Sequence, residues 1–391
     1  MGRDNAVDLA TLPKTGGIKI AASEHRDISA AVAEVERTLG AGGFQHLLVF
    51  FAVHYDAGLL CAKLAQAFPS TGISGCTTSG EIVPGGTSDG GLLVVAFPHA
   101  GFVVHSQIID DLGTIGVERA GGIVRRLKSQ LRTEASGANT FAIMLIDGLS
   151  NAEETLVAAV HWAIDDIQLI GGSAGDNLAF TKTSLIHAGQ VWSQAALLLL
   201  IETDTPFRVF KTQNFEPTAI KLVVTAADTA SRTVYELNAE PAAREYAAAI
   251  GLLPDDLGPF SFASYPLVVK VGGDYYCRSI RNMNPDGSLT FFCAIDEGLV
   301  FTVARPQDMV TTTEQALSDV EAALGGIDLV LGFDCILRRL DAENSQTRHL
   351  VDQLYCKYRV VGFNTYGEQF NAMHLNQTLT GIAFGRARSL E

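Results

Sequence analysis

The chain is short of positive charge. Its 391 residues hold 28 Lys and Arg against 43 Asp and Glu, a formal net charge of -15. No Lys/Arg-rich run occurs, so nucleic acid and anionic membrane surfaces are poor partners. An anionic ligand therefore needs a positive pocket assembled locally. Cysteine is also scarce. Cys61, Cys76, Cys277, Cys293, Cys335 and Cys356 are the only six, and none forms a C-x-x-C pair. With no secretory signal in view they read as reduced thiols of a cytoplasmic protein, most of them small buried hydrophobes. The longest strongly apolar run, "AALLLLI" at 195–201, is far short of the roughly 20 residues that a membrane helix needs. The nine histidines show no His-x-x-His or HExxH spacing, which argues against a structural zinc read from pattern alone.

What is present is apolar residue and glycine: 47% apolar, with 38 glycines. Length predicts two domains, and the pattern predicts an α/β fold with mixed β-sheets flanked by helices. Residues 1–15 read as a flexible terminus. "HLLVFFAV" and "TFAIMLID" are continuous apolar runs, as expected of strands covered on both faces. "DISAAVAEVERTL" has helical spacing with Asp27 as N-cap. In "SNAEETLVAAVHWAIDD", Ser150 and Glu153 suggest a capping box. A series of strands follows to about 236, and "ELNAEPAAREYAAAIG" opens a second region with Pro241 at a helix start. No repeat of solenoid length is visible.

Three stretches concentrate polar chemistry. "GGSAGD" places Gly171, Ser173 and Gly175 in G-x-S-x-G. A nucleophile elbow needs a strand before it and a helix after, but loop and strand residues follow. A glycine turn whose amides face a pocket is the better reading. "GISGCTTSGEI" places Cys76 and Thr77 among glycines, either as a structural turn or as a ligand-contact loop. "LIDGLSN" sets Asp147, Ser150 and Asn151 at the end of a buried strand, where α/β sheets bind ligands. Near the C-terminus, "GFNTYGEQFNAMHLNQT" surrounds His374 with Phe363, Tyr366, Phe370 and Met373. A single histidine can hold haem iron without leaving any spacing signature. It can equally be a hydrogen-bonded residue at a strand end.

The blocks "GCTTSGEI", "LIDGLSNAEETLV", "LIGGSAGDNLAF", "GFNTYGEQ" and "NQTLTGIAFG" together resemble the FIST-domain family. The resemblance places a FIST N-type sensory domain at 16–236 and a FIST C-type domain at 237–389. It implies a non-enzymatic sensory module of bacterial signalling. Its NosP-type subgroup binds haem b and senses nitric oxide. It acts on a histidine kinase, or on a diguanylate cyclase or phosphodiesterase, in two-component signalling and biofilm regulation. No such output domain fits in the chain, so a separate partner is expected, and a homodimer is conceivable. On that reading His374 is the proximal ligand of non-covalent haem b. Met373, Phe370, Tyr366 and Phe363 contact the haem, and Arg278, Arg281 and Arg359 are candidate propionate partners. In this sequence Leu375 separates the histidine from Asn376-Gln377-Thr378, a one-residue displacement that reverses its face in a strand. The alternative is a sensor of an amino-acid-like metabolite without haem. That reading uses Cys76, Thr77, Asp147 and Ser173, with Tyr366, Glu368 and Asn376 from the other domain. His54 is the second candidate as a ligand.

Overall fold

A computed structural model describes residues 17–386 apart from 41, 133–135 and 272. The expected flexible stretch 1–15 lies outside the described residues. The α/β expectation holds, but the organisation is finer than two halves. Three units share one strand arrangement. The first comprises Lys19–Ser23, Phe44–Ala52, Gly72–Thr78 and Leu92–Pro98. The second comprises Phe102–Ile109, Thr140–Asp147, Gln168–Ala174 and Ala196–Thr203. The third comprises Phe207–Gln213, Ile327–Cys335, Val360–Thr365 and Thr378–Gly385. In every unit the first strand pairs antiparallel with the fourth, the fourth antiparallel with the second, and the second parallel with the third.

A hairpin then leaves each unit and extends a neighbour's sheet. Glu81–Val83 pairs with the third unit, Leu185–His187 with the first, and Glu368–Phe370 with the second. The exchange is cyclic, so no unit is complete alone. Backbone bonds close the ring: Ser79 N–H donates to Asn364 O at 3.0 Å, Gly175 to Thr77 at 3.2 Å, and Tyr366 to Ser173 at 3.1 Å. Four residues before each donor stands a glycine. A Cβ on Gly75, Gly171 or Gly362 would lie 1.9, 1.9 or 1.8 Å from the carbonyl oxygen of Val49, Met144 or Gly332. Only glycine lets the paired strands approach so closely.

Alternation along each strand sorts side chains between two layers. Leu48 and Phe50 join Phe141, Phe333, Phe363 and Phe384 in a core shared by all three sheets. Leu47, Val49 and Phe51 face the first unit's helices. Both faces are covered, which explains the uninterrupted apolar runs. The third unit carries a large insertion between Phe207–Gln213 and the helix Met309–Leu324. Its strands, Phe215–Asp228 to Val300–Pro306, form a separate sheet around their own core. Strand pairing thus crosses the sequence division at 236, because Phe207–Gln213 pairs with Thr378–Gly385.

Two local readings need correction. Ser150 does not cap the following helix. That helix is Glu153–Ile164 with Ala152 at its N-cap and no side-chain cap bond, because Asn151 takes a left-handed turn at φ 56°. The sequence "SQTRHLVDQLYCKY" reads as a helix, seen at Arg348–Lys357, but a further helix at Ile336–Asn344 precedes it. That further helix is only nine residues long and starts directly from the buried strand Ile327–Cys335, so its few apolar residues read as a continuation of that strand.

Candidate functional site

The second unit leaves the pattern of the other two just past its glycine. Its hairpin begins at Leu185, fourteen residues after Gly171, whereas the other hairpins begin six residues after Gly75 and Gly362. The added residues form a loop with Asn177, Leu178 and Phe180 at φ 56°, 65° and 50°. Non-glycine residues held there cost roughly 1–3 kcal/mol each and persist only where their surroundings fix them. Here Asp176 fixes them. Its carboxylate accepts N–H bonds from Phe180 at 2.9 Å, Thr181 at 2.7 Å and Lys182 at 2.9 Å, and an O–H bond from Tyr366. Tyr366 Oη accepts in turn from Leu178 N–H at 2.7 Å. Burial works to raise the Asp176 pKa, but the bonds from Lys182, Tyr366, Thr181 and Phe180 outweigh it and hold it below the ordinary value.

This loop faces the insertion across a narrow cleft. Gly148, Asn151 and Glu153 line one side, and Phe180, Arg281, Phe291, Phe292 and Tyr366 complete it. The cleft measures about 260 Å³ with its open mouth and is too tight as it stands for more than ordered water. The guanidinium of Arg281 lies 4.6 Å from the Phe180 ring centroid. Its buried Nε has no hydrogen-bond partner, and among the described residues Arg281 makes no ion pair. Burial lowers its pKa, and Arg232 adds to that against the pull of Tyr366 and Asp176. Glu153, by contrast, is held by Arg232 at 3.0 Å.

The other expected site residues scatter. Cys76 lies in the shared core, where burial raises its thiol pKa well above normal and no base adjoins it among the described residues. Thr77 Oγ1 accepts from Ser184 N–H at 3.1 Å. Ser173 Oγ accepts from Gln369 Nε2 at 3.1 Å, and loop rather than helix follows it, so no nucleophile elbow forms. Asp147 accepts from Leu149 N–H at 3.0 Å, Gln194 N–H at 2.6 Å and the Thr183 hydroxyl, as a structural turn. His54 is exposed beside Tyr55 on the first unit. Glu368 accepts from Thr365 and Thr378. Of that set only Tyr366 lines the cleft. Asn376 stands behind it, its Nδ2 donating to Tyr366 O at 3.2 Å.

The residues expected around haem do not form a haem pocket. His374 is 3% exposed, and a Cβ on Gly367 would lie 2.2 Å from its Cε1 and 2.8 Å from its Nε2. Gly367 therefore closes the Nε2 edge of the imidazole. Phe363 stacks 4.7 Å from Phe50 in the shared core, Tyr366 faces Asp176, and Phe370 meets Lys211. Met373 is half-exposed. Arg278 donates to Cys277 O, and Arg359 pairs with Asp328 at 3.6 Å. These positions do not converge. Burial pushes the His374 imidazole down to about 4, against Glu154, and its buried Nδ1 has no partner.

Comparison with known proteins assigns the two regions. The FIST N domain model matches residues 45–240 and the FIST C domain model residues 242–371. This chain belongs to the FIST family. FIST domains are sensory domains of signal transduction. The cleft therefore lies where the FIST N loops 148–153 and 176–182 meet FIST C residues 281, 291–292 and 366. No curated protein matches the FIST chain. A crystal structure of cyanuric acid hydrolase from A. caulinodans is similar over 94% of this chain and 99% of that one, at 9% identity and a TM-score of 0.38. At that level the likeness says nothing about what this chain does. No described helix is long and apolar enough to cross a membrane.

Sequence reasoning found Tyr366 and Asn151, and named Arg281 only as a propionate partner. It missed Asp176, Phe180 and Phe292. The signal available was the length of the segment after "GGSAG", compared with "GCTTSGE" and "GFNTYGE".

Proposed function

We propose that this FIST protein senses a small carboxylate, an amino-acid-like metabolite, in the cleft between its N and C regions. The observation that carries the reading is Arg281: a half-buried guanidinium over the Phe180 ring that makes no ion pair among the described residues. A carboxylate supplies that partner in bidentate geometry. Phe180, Phe292 and Tyr366 offer apolar and stacking surface beside it. The loop 176–182 closes the cleft tightly, so a ligand enters by displacing Phe180. That motion loosens the Asp176–Tyr366 contact and changes the face formed by the loop. A separate signalling protein, a histidine kinase or a cyclic-di-GMP enzyme, reads that change. Ligand occupancy acts only by its differential affinity for the two loop positions. No reaction is required.

The test is thermal-shift screening with amino acids and small carboxylates, followed by calorimetry. At a hundred times its Kd, a ligand bound only by the folded state adds about 2.7 kcal/mol of stability. Arg281→Ala is expected to abolish the shift, and Arg281→Lys to weaken it. If no carboxylate stabilises the protein, or if Arg281→Ala binds as well as wild type, the reading is wrong.

A further inference from the structure

Behind the cleft, three potential metal ligands from distant parts of the chain meet. Glu154 lies in the first turn of the helix Glu153–Ile164 of the N region. Cys293 follows the strand Leu289–Phe291 of the insertion, and His374 lies in the hairpin strand Met373–Leu375. One carboxylate oxygen, the thiol sulfur and one imidazole nitrogen all lie within 4.8 Å of one another. We propose that Glu154, Cys293 and His374 bind a borderline-soft divalent ion of the zinc class, bridging the FIST N and FIST C regions.

Four observations support the assignment. First, His374 Nδ1 is a buried ring nitrogen without a hydrogen-bond partner among the described residues, and a buried polar atom left in that state calls for an explanation. Second, the imidazole is enclosed with the other two donors, His374 being 3% exposed, and histidine is the commonest metal ligand. Third, a carboxylate, a thiolate and an imidazole are a donor set that suits zinc. Tetrahedral bond lengths of about 2.0–2.3 Å require donor separations near 3.5 Å, so modest contraction completes the set. Fourth, the surroundings orient the donors. Glu154 Oε1 accepts from Ala294 N–H at 2.6 Å and Oε2 from Arg232 at 2.7 Å. Cys293 Sγ donates to Asn376 Oδ1 at 2.6 Å. Asn376 is held by Tyr366 O, which ties the cluster to the cleft.

Binding exchanges a proton for the metal ion. The Cys293 thiol loses its proton to solvent as the sulfur bonds the metal, and Asn376 Oδ1 loses the thiol's hydrogen bond. That oxygen, or a water, is then available for a fourth position. Nothing is oxidised or reduced. Glu154 and the new thiolate place two negative groups beside the guanidinium of Arg232 and the divalent ion. Affinity accordingly rises with pH, because the thiol must deprotonate.

The probe is Co2+, titrated into full-length protein freed of metal by chelation under reducing conditions. The expected result is a saturable one-to-one thiolate-to-cobalt charge-transfer band with tetrahedral ligand-field bands, displaced by Zn2+. Cys293→Ser removes the charge-transfer band. His374→Gln and Glu154→Gln each weaken Co2+ binding about tenfold or more, since even outer-shell partners are worth that much. Cys356→Ser, at the exposed cysteine, leaves the band intact. Circular dichroism and a retained carboxylate response establish that each variant is folded. No saturable band in wild type, or a band that survives Cys293→Ser, overturns the site. So does a band lost only with Cys356→Ser. No carboxylate response in wild type, with the cobalt band intact, counts against the carboxylate reading alone.

Discussion

The first and third units end their third strands alike, and the second does not. In "GCTTSGE" the Thr78 hydroxyl donates to Glu81, whose other oxygen accepts from Gly90 and Gly91 N–H at 3.3 and 2.8 Å. In "GFNTYGE" the Thr365 hydroxyl donates to Glu368, whose other oxygen accepts from Thr378 N–H at 3.2 Å and its hydroxyl at 2.7 Å. Each buried carboxyl thus pins its hairpin to the strand that follows. The second unit has Ala174 where the others have threonine, and Asn177 where they have glutamate. With that latch absent, the chain runs on through Phe180, anchored by Asp176 instead. Two corners of the ring are clamped by local bonds. The remaining one is held by Tyr366 from a neighbouring unit, and that is the corner that faces Arg281, which makes no ion pair among the described residues. A sensor needs an element with two positions, and the unlatched corner is the one built to supply it.

The largest effect is expected from breaking what the three units share. Gly171→Ala drives a methyl to 1.9 Å from the Met144 carbonyl oxygen, and backbone there has nowhere to go. Overpacking of this kind costs about 3 kcal/mol or more, read as a collapse of the urea midpoint. Gly85→Ala, where nothing lies within 4 Å, is the control and should move the midpoint little. Equal midpoints for the two variants would remove the close-approach argument for the ring.

Next comes the unlatched corner. Tyr366→Phe removes the donor to Asp176 and the acceptor for Leu178 N–H. A cost of about 1–3 kcal/mol follows from leaving such groups unmatched. Amide exchange should quicken in 177–182 and not in the hairpins beginning at Glu81 and Glu368. Uniform quickening would mean that the loop is no weaker than the latched corners.

The latches themselves are exposed by pH. Burial raises Glu81 to about 7 and Glu368 to about 8, against the hydrogen bonds from Thr78 and Thr365. The unfolded chain titrates near 4.3. Between that value and the folded one the native state binds more protons than the unfolded state. The stabilisation from the protonated carboxyls is therefore full below pH 4.3 and is lost as pH rises towards 8. Glu368→Gln should gain on wild type as pH goes from 5 to 8, measured as the difference in urea midpoints. A difference that stays constant with pH would mean that Glu368 is ionised in the fold.

How much of this was legible follows from where each signal lies. The helix Ile28–Leu39 was readable because Asp27 and the spacing of Val32, Val35 and Leu39 are local; Asp27 Oδ1 accepts from Ala30 N–H at 2.8 Å as expected. The buried strands were readable because both faces are apolar. The ring was not, since its units share strand order and one glycine rather than a sequence period, and the insertion hides the third. The cleft depends on a length difference between corners that only matter once superposed. Glu154, Cys293 and His374 lie in three separate segments, so no spacing pattern could bring them together.

The smallest effect tests the one capping motif that the fold did not use. If Ser150 capped the helix beside Glu153, Ser150→Ala would cost about 1 kcal/mol. The helix instead begins at Glu153. Among the described residues the one bond to Ser150 Oγ is a long one, from Ala152 N–H at 3.4 Å. The helix start is held from the insertion, where Arg232 donates to Asn151 O at 2.9 Å and to both Glu153 and Glu154. Ser150→Ala should therefore shift stability by less than about 0.5 kcal/mol, the range of ordinary surface changes. Arg232→Ala should cost several times more, because it strands two carboxylates at once. A Ser150→Ala loss near 1 kcal/mol would restore the capping box and move the helix start towards the cleft, and the left-handed turn at Asn151 would then be the feature in need of a cause.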